Sequence, residues 1–280
     1  MQIRISADSS CDLTPQILAD YNIAVVPVTV IVGEQAFTDG EDIQPDDIFQ
    51  YVDGEGKTCR TAAINVHQYY TYFKELQSQE TAVIHISLGS GFSSCYQNAV
   101  LAAQELPGVY IIDSKNLSSG AGQLVLEAAL MANSGYEPEE ICHQLNELAE
   151  KIEGSFVIDR LDYLYRGGRC SALEAESARL LKIKPCIEVV NGKMIVGKKF
   201  RGSFEKAVKR YISAKLAERN DINLKRIFIA HAACSPLTIE LVKTEISKFA
   251  GFKEIIVAEA GSTVAAHCGP NTLGLFFQRV

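Results

Sequence analysis

The segment TAVIHISLGSGFSSCYQNA (Thr81–Ala99) decides how the rest of the chain is read. Its first part, TAVIHI (Thr81–Ile86), is an apolar, β-branched run with turn residues behind it, which predicts a buried strand. SLGSGFSSCYQNA (Ser87–Ala99) follows directly and packs four serines, two glycines and a cysteine into the turn before helical spacing resumes. A buried strand feeding a helix through such a turn is the unit of a largely parallel sheet covered by helices.

The same rhythm extends outward from it. Ile3–Ala7, Ala24–Val32 and Val109–Ile112 also read as buried strands, while Val66–Leu76, Ser94–Leu106 and Gly122–Ala132 carry helical spacing. A further amphipathic helix has Pro138 near its start and Gly154 just past its end, with Ile141, Leu145, Leu148 and Ile152 on one face. Beyond Gly154 the pattern changes. A strand and turn up to Arg169 precede a helix over Ala172–Leu181, and Asn191-Gly192 between two β-rich runs is a hairpin signal. Helices over Phe204–Glu218 and Pro236–Phe249 alternate with strands at Arg226–His231, Glu254–Ala258 and Leu273–Phe277. The expectation is an α/β protein of two α/β domains, residues 1–154 with a largely parallel sheet and 155–280 with a mixed sheet.

Composition narrows the function classes. The chain has 280 residues, is 47% hydrophobic and carries a formal charge of −7, ample for a buried core and unlike a duplex nucleic-acid binder. A local basic patch still leaves room for transient contact with a membrane surface. Eight cysteines show no Cys-x-x-Cys spacing, so no metal site is expected and the thiols read as reduced and mostly buried. The opening MQIRISADSS lacks signal-peptide features and no run of eighteen apolar residues occurs, so a cytoplasmic protein without a transmembrane segment is expected.

In open α/β sheets, ligands gather beyond the carboxyl ends of the strands. Asp8-Ser9-Ser10, the Ser87–Ser94 turn and Asp113-Ser114 fall there, although Asp8 and Asp113 are read first as caps or loop braces. The serine turn is denser than a cap requires. A helix start near Ser93 or Ser94 would present free N–H groups and a positive dipole end. Three chemistries compete for it. A serine hydrolase would want Gly-x-Ser-x-Gly, but the order here is Gly89-Ser90-Gly91-Phe92-Ser93. A phosphate loop would want a lysine that does not follow. A carboxylate grip needs only hydroxyl and backbone donors. Binding is therefore favoured over catalysis. His85, mid-strand, reads as a satisfied core residue, and the Tyr69, Tyr70, Tyr72 and Phe73 cluster reads first as core packing.

Eight fragments occur in a recognisable order between residues 7 and 277: ADSSCDL, CRTAAINVHQYYTYF, SLGSGFSSCYQNA, VYIIDSKNLSSGAGQLVLEA, LDYLYRGGR, LLKIKPCIEVVNGKM, KKFRG and HCGPNTLGLFF. In this the chain resembles the DegV family of fatty-acid-binding proteins, the lipid-carrying partners of bacterial fatty acid kinase. The resemblance implies a long-chain fatty acid buried between two α/β domains as ligand, and no other cofactor. It implies that Thr61 and Ser93 hold the carboxylate, with His267 close by. Arg169 and Arg201 would lie near the site or on a partner-facing rim, where Arg166, Lys198 and Lys199 add positive charge. A cationic His267 or a nearby arginine would keep the acid ionised. Phe92, Tyr69 and Phe73 are candidates for the tail pocket. No catalytic residue is implied, since a kinase partner would form the acyl phosphate. The alternatives are a serine esterase using Ser93 with His267, and a lipid sensor without catalysis.

Overall fold

The computed structural model describes residues 2–77, 81–169 and 183–280. Four parallel strands form one sheet in the order β2 (Ala24–Val26), β1 (Gln2–Asp8), β6 (Thr81–Ser87), β7 (Val109–Asp113). A six-stranded mixed sheet runs β10 (Lys193–Arg201), β9 (Ile183–Val190), β8 (Ile152–Ile158), β13 (Thr272–Arg279), β11 (Ile222–Ala232), β12 (Glu254–Glu259). Within it β11 and β12 pair parallel and the other neighbours antiparallel. β9 and β10 form the hairpin expected at Asn191-Gly192. The expected α/β class, with one parallel and one mixed sheet, is the observed one. The helix expected over Ala172–Leu181 lies outside the described residues.

One sheet escapes the sequence reading. Ala24–Val32 is not a single strand: β2 ends at Val26, and β3 (Thr29–Val32) pairs instead with β4 (Gln35–Thr38) and β5 (Cys59–Ala62) in a small antiparallel sheet. The cause is Pro27, which has no N–H to give a ladder. The chain turns there, and the next N–H, of Val28, goes to Ser9 Oγ at 3.1 Å. This break also positions Thr61, which stands on β5.

Helix α5 (Ser119–Asn133) lies between the two large sheets, touching β1 and β6 on one side and β8, β11 and β13 on the other. Every residue from Ser119 to Leu126 is buried. A helix without a continuous polar face suits that place, and a surface helix would need one. One continuous core consequently joins Ile5, Ile84 and Leu124 to Phe228 and Phe276. His85 is fully buried in the parallel sheet, bonded to Ser6 Oγ at 2.8 Å and Asp8 Oδ1 at 3.2 Å, as a satisfied core histidine should be.

Candidate functional site

The turn after β6 is held by the carboxylates at the ends of its two neighbouring strands. Asp8, at the end of β1, accepts from Ser87 Oγ at 2.9 Å and the Leu88 N–H at 2.7 Å, and from the Tyr69 hydroxyl at 2.5 Å. Burial alone would raise this carboxyl, but the His85, Tyr69 and Leu88 contacts outweigh it and hold Asp8 below the usual carboxylate range. Asp113, at the end of β7, accepts from the Ser90 N–H at 3.0 Å and the Ser90 hydroxyl at 2.6 Å. Both aspartates are thus braces. Ser87 and Ser90 are spent on them.

Ser93 is left to face inward. Helix α4 starts at Cys95 (Cys95–Ala103), and Ser93 Oγ accepts from the Cys95 N–H at 3.2 Å and lies 3.1 Å from Cys95 Sγ. The turn is also pressed from outside by the β9–β10 hairpin. A Cβ at Gly91 would fall 2.0 Å from the Gly192 carbonyl oxygen, so only glycine permits this approach.

Opposite Ser93, two elements meet that are far apart in sequence. Thr61 stands on β5, and His267 in the last turn of a short helix (Ser262–Cys268, α10; α8 and α9 being Phe204–Leu216 and Pro236–Ser247). Thr61 Oγ1 and His267 Nε2 are 2.8 Å apart. The other ring nitrogen, Nδ1, is buried with no hydrogen-bond partner. Burial, with the charge of Arg169 second, pushes the imidazole down to about 4, so the ring is neutral near pH 7. Arg169 supplies the positive charge at the site. Its Nη1 donates to the Gly167 carbonyl at 2.7 Å and its Nη2 to the Phe92 carbonyl at 3.3 Å, tying the serine turn to the end of α7 (Asp162–Arg166).

These groups line one cavity of about 280 Å³. Thr61, Ser93, Ser94, His267 and Arg169 provide polar atoms, and Val28, Phe92, Leu117, Phe156, Leu164, Met194 and Val264 provide apolar wall. Leu117, Phe156, Val264 and Cys268 also border a second chamber of about 30 Å³ that reaches Ala230 and Phe276. Chemically this is a mostly apolar hollow whose wall also carries hydroxyls, an imidazole and a guanidinium. Among the described residues no hydrogen bond joins Ser93 to His267, whose Nε2 is taken by Thr61.

Of the residues singled out by sequence, Thr61, Ser93, His267, Arg169 and Phe92 share the cavity. Tyr69 and Phe73 do not line it; they are fully buried together against His85, in the core beneath α3 (Val66–Leu76). Arg201 does not line it either and is exposed at the end of β10, its carbonyl accepting from Arg210 at 3.4 Å. Ser10, Met194 and Thr263 line it without having been picked out individually. Ser10 belongs to a strand-end cluster that sequence does flag, whereas nothing around Thr263 or Met194 signals a pocket. No group of three or more potential metal-ligating side chains occurs among the described residues, and no helix there is long and apolar enough to cross a membrane.

The DegV family model, described as "Uncharacterised protein, DegV family", matches residues 2–280. A DegV domain-containing protein of Caldanaerobacter subterraneus is 32% identical over 99% of both chains. A Thermotoga maritima relative named fatty acid-binding protein is 28% identical, over 98% of this chain and 96% of its own. The solved structure of a DegV family protein from Thermus thermophilus, described by its fatty acid binding, superposes with a TM-score of 0.88 at 27% identity, covering both chains completely. With the family pattern running end to end and the fold matched throughout, the chain belongs to the DegV family.

Proposed function

We propose that this chain binds a long-chain fatty acid in the cavity and presents its carboxylate to a fatty acid kinase, which forms the acyl phosphate. One observation carries the reading: Ser93, the Thr61–His267 pair and Arg169 line one cavity whose wall is mostly apolar. The division of labour is energetic. Burying about fifteen methylenes at ~0.8 kcal/mol each gives a gross gain of about 12 kcal/mol, from which association and chain ordering remove several. The tail therefore supplies affinity, and the head-group site must only avoid losing it. A buried carboxylate without donors costs several kcal/mol, which the Thr61 and Ser93 hydroxyls offset. Arg169 favours the ionised acid, the form whose oxygen attacks a γ-phosphate. The ligand lies between an N-terminal domain, 1–154, and a C-terminal one, 155–280, with the tail running past Phe156 toward the second chamber. Arg169 and Arg201, with the lysines of β10, make the basic rim that a kinase would meet.

Native mass spectrometry of the purified protein should show the added mass of a fatty acid, and Thr61→Ala with Ser93→Ala should weaken its retention. A protein that is always empty and takes up no added fatty acid refutes the reading. Acyl phosphate formed from the loaded protein only when a fatty acid kinase and ATP are both present separates a kinase partner from a sensor.

A further inference from the structure

Two hydroxyls in the cavity wall have nothing to bond. Ser10 Oγ and Thr263 Oγ1 are buried without a hydrogen-bond partner among the described residues, and their residues are only 1% and 5% exposed. Both residues line the cavity. Their elements touch: the single 3₁₀ turn Ser9–Cys11 packs against α10. A buried hydroxyl left unpaired costs about 1–3 kcal/mol, so two on residues of one cavity wall call for a polar partner within reach. Serine and threonine hydroxyls can each donate and accept, which matches a group that does the same.

Position and charge narrow what that group is. Thr263 and His267 are four residues apart on one helix, hence on one face and about 6 Å apart along the axis. That spans about four bonds of ~1.5 Å, so the group sits on the carboxylate-proximal part of a bound chain. It is also neutral. Two buried acidic side chains bond the neighbouring residues: Ser9 Oγ donates to Asp39 Oδ2 at 2.7 Å, and Asp12 Oδ1 accepts from the Gly261 N–H at 2.9 Å. A Cβ added at Gly261 would lie 3.4 Å from an oxygen of each. A second anion, such as a phosphoryl group, would be repelled by the Asp39 carboxylate, whereas a hydroxyl would not.

We propose that Ser10 and Thr263 form a subsite for a hydroxyl on the first few carbons of the acyl chain, so that this protein accepts hydroxylated fatty acids. The inference rests on the fatty-acid reading of the same cavity. Dissociation constants for hexadecanoic and 3-hydroxyhexadecanoic acid, measured by displacement of a fluorescent fatty acid, test it on the whole chain. The wild-type protein should bind the hydroxy acid at least as tightly as the plain acid. Thr263→Val and Ser10→Ala should each shift the ratio about tenfold toward the plain acid, and Thr263→Ser should keep the wild-type ratio. A wild-type preference for the plain acid of tenfold or more, or a ratio that neither Thr263→Val nor Ser10→Ala moves, overturns the subsite while leaving fatty-acid binding intact. Binding of neither acid overturns both readings.

Discussion

Gly167 offers a clean way to disturb the head-group site from behind. It follows α7 with φ −76° and ψ 0°, values any residue adopts, so alanine there brings no backbone strain. On backbone entropy alone the change would stabilise by ~0.4–1 kcal/mol. What it meets first is His267, with the Tyr163 carbonyl oxygen next at 3.3 Å. The new Cβ would fall 2.2 Å from Nδ1 and 2.9 Å from Cε1, and the ring must retreat by about 1.2 Å to reach an ordinary 3.4 Å contact. The ring is buried and its opposite nitrogen sits 2.8 Å from Thr61, so that displacement either breaks the bond or drives the two atoms together. Losing a buried hydrogen bond costs about 1–3 kcal/mol, or roughly 5- to 150-fold in affinity where the bond orients a ligand donor. Gly167→Ala should therefore weaken fatty-acid binding at least fivefold in a displacement titration. Gly251→Ala, where the added carbon meets nothing within 4 Å, should leave it unchanged. The decisive comparison is a double-mutant cycle with His267→Ala, which removes the group that is struck. Gly167→Ala should be nearly silent in that background. An equal loss with and without His267, or no loss at all, would refute the geometry.

Two further outcomes follow from buried carboxylates. Asp8→Asn puts an amide NH₂ among hydroxyl, imidazole and N–H partners that need an acceptor, and should lower unfolding stability by about 2–4 kcal/mol in a urea titration, with the turn before α4 losing hydrogen-exchange protection first. Asp12 behaves oppositely with pH. Burial, against the Ser118 and Gly261 contacts and aided by Asp39, raises its carboxyl to about 8, so the folded protein binds one more proton than the unfolded chain between about pH 4 and pH 8. Its contribution to stability is complete below pH 4 and falls as pH rises through 8. Asp12→Asn should flatten the decline in thermal midpoint between pH 5 and pH 8, and an unchanged slope would count against a proton held there.

How much of this was legible follows from what local sequence can encode. The β6–α4 unit is readable because the buried strand, the glycines and the helix are adjacent, and the helix starts within one residue of Ser94. The roles of the four serines are not. Ser87 and Ser90 answer to carboxylates 79 and 23 residues away, and the fold leaves Ser93 and Ser94 on the cavity. Ala24–Val32 misleads because its apolar run continues through Pro27, while the proline's missing donor moves the chain into another sheet. Tyr69 and Phe73 have the composition of a lipid pocket and the position of a core, and periodicity alone does not separate those two. Thr263 is the hardest case, since nothing local distinguishes it from any other threonine on a buried helix face.

The neutrality of His267 sharpens the chemistry of the site. A cationic imidazole beside the carboxylate would bind the head group tightly and compete for the oxygen that a kinase needs. A neutral ring paired with Thr61 instead orients a hydroxyl donor and leaves the charge on Arg169, which is exposed and bonded to the Gly167 and Phe92 carbonyls. Hydroxyl donors in a dry pocket fix the position of an anion without neutralising it. The arrangement therefore suits a carboxylate that has to be held still and remain nucleophilic. Under the proposed function the tail supplies the affinity, so the head-group residues can be weak binders and good positioners, and substitutions there should change transfer to a kinase more than retention of the lipid.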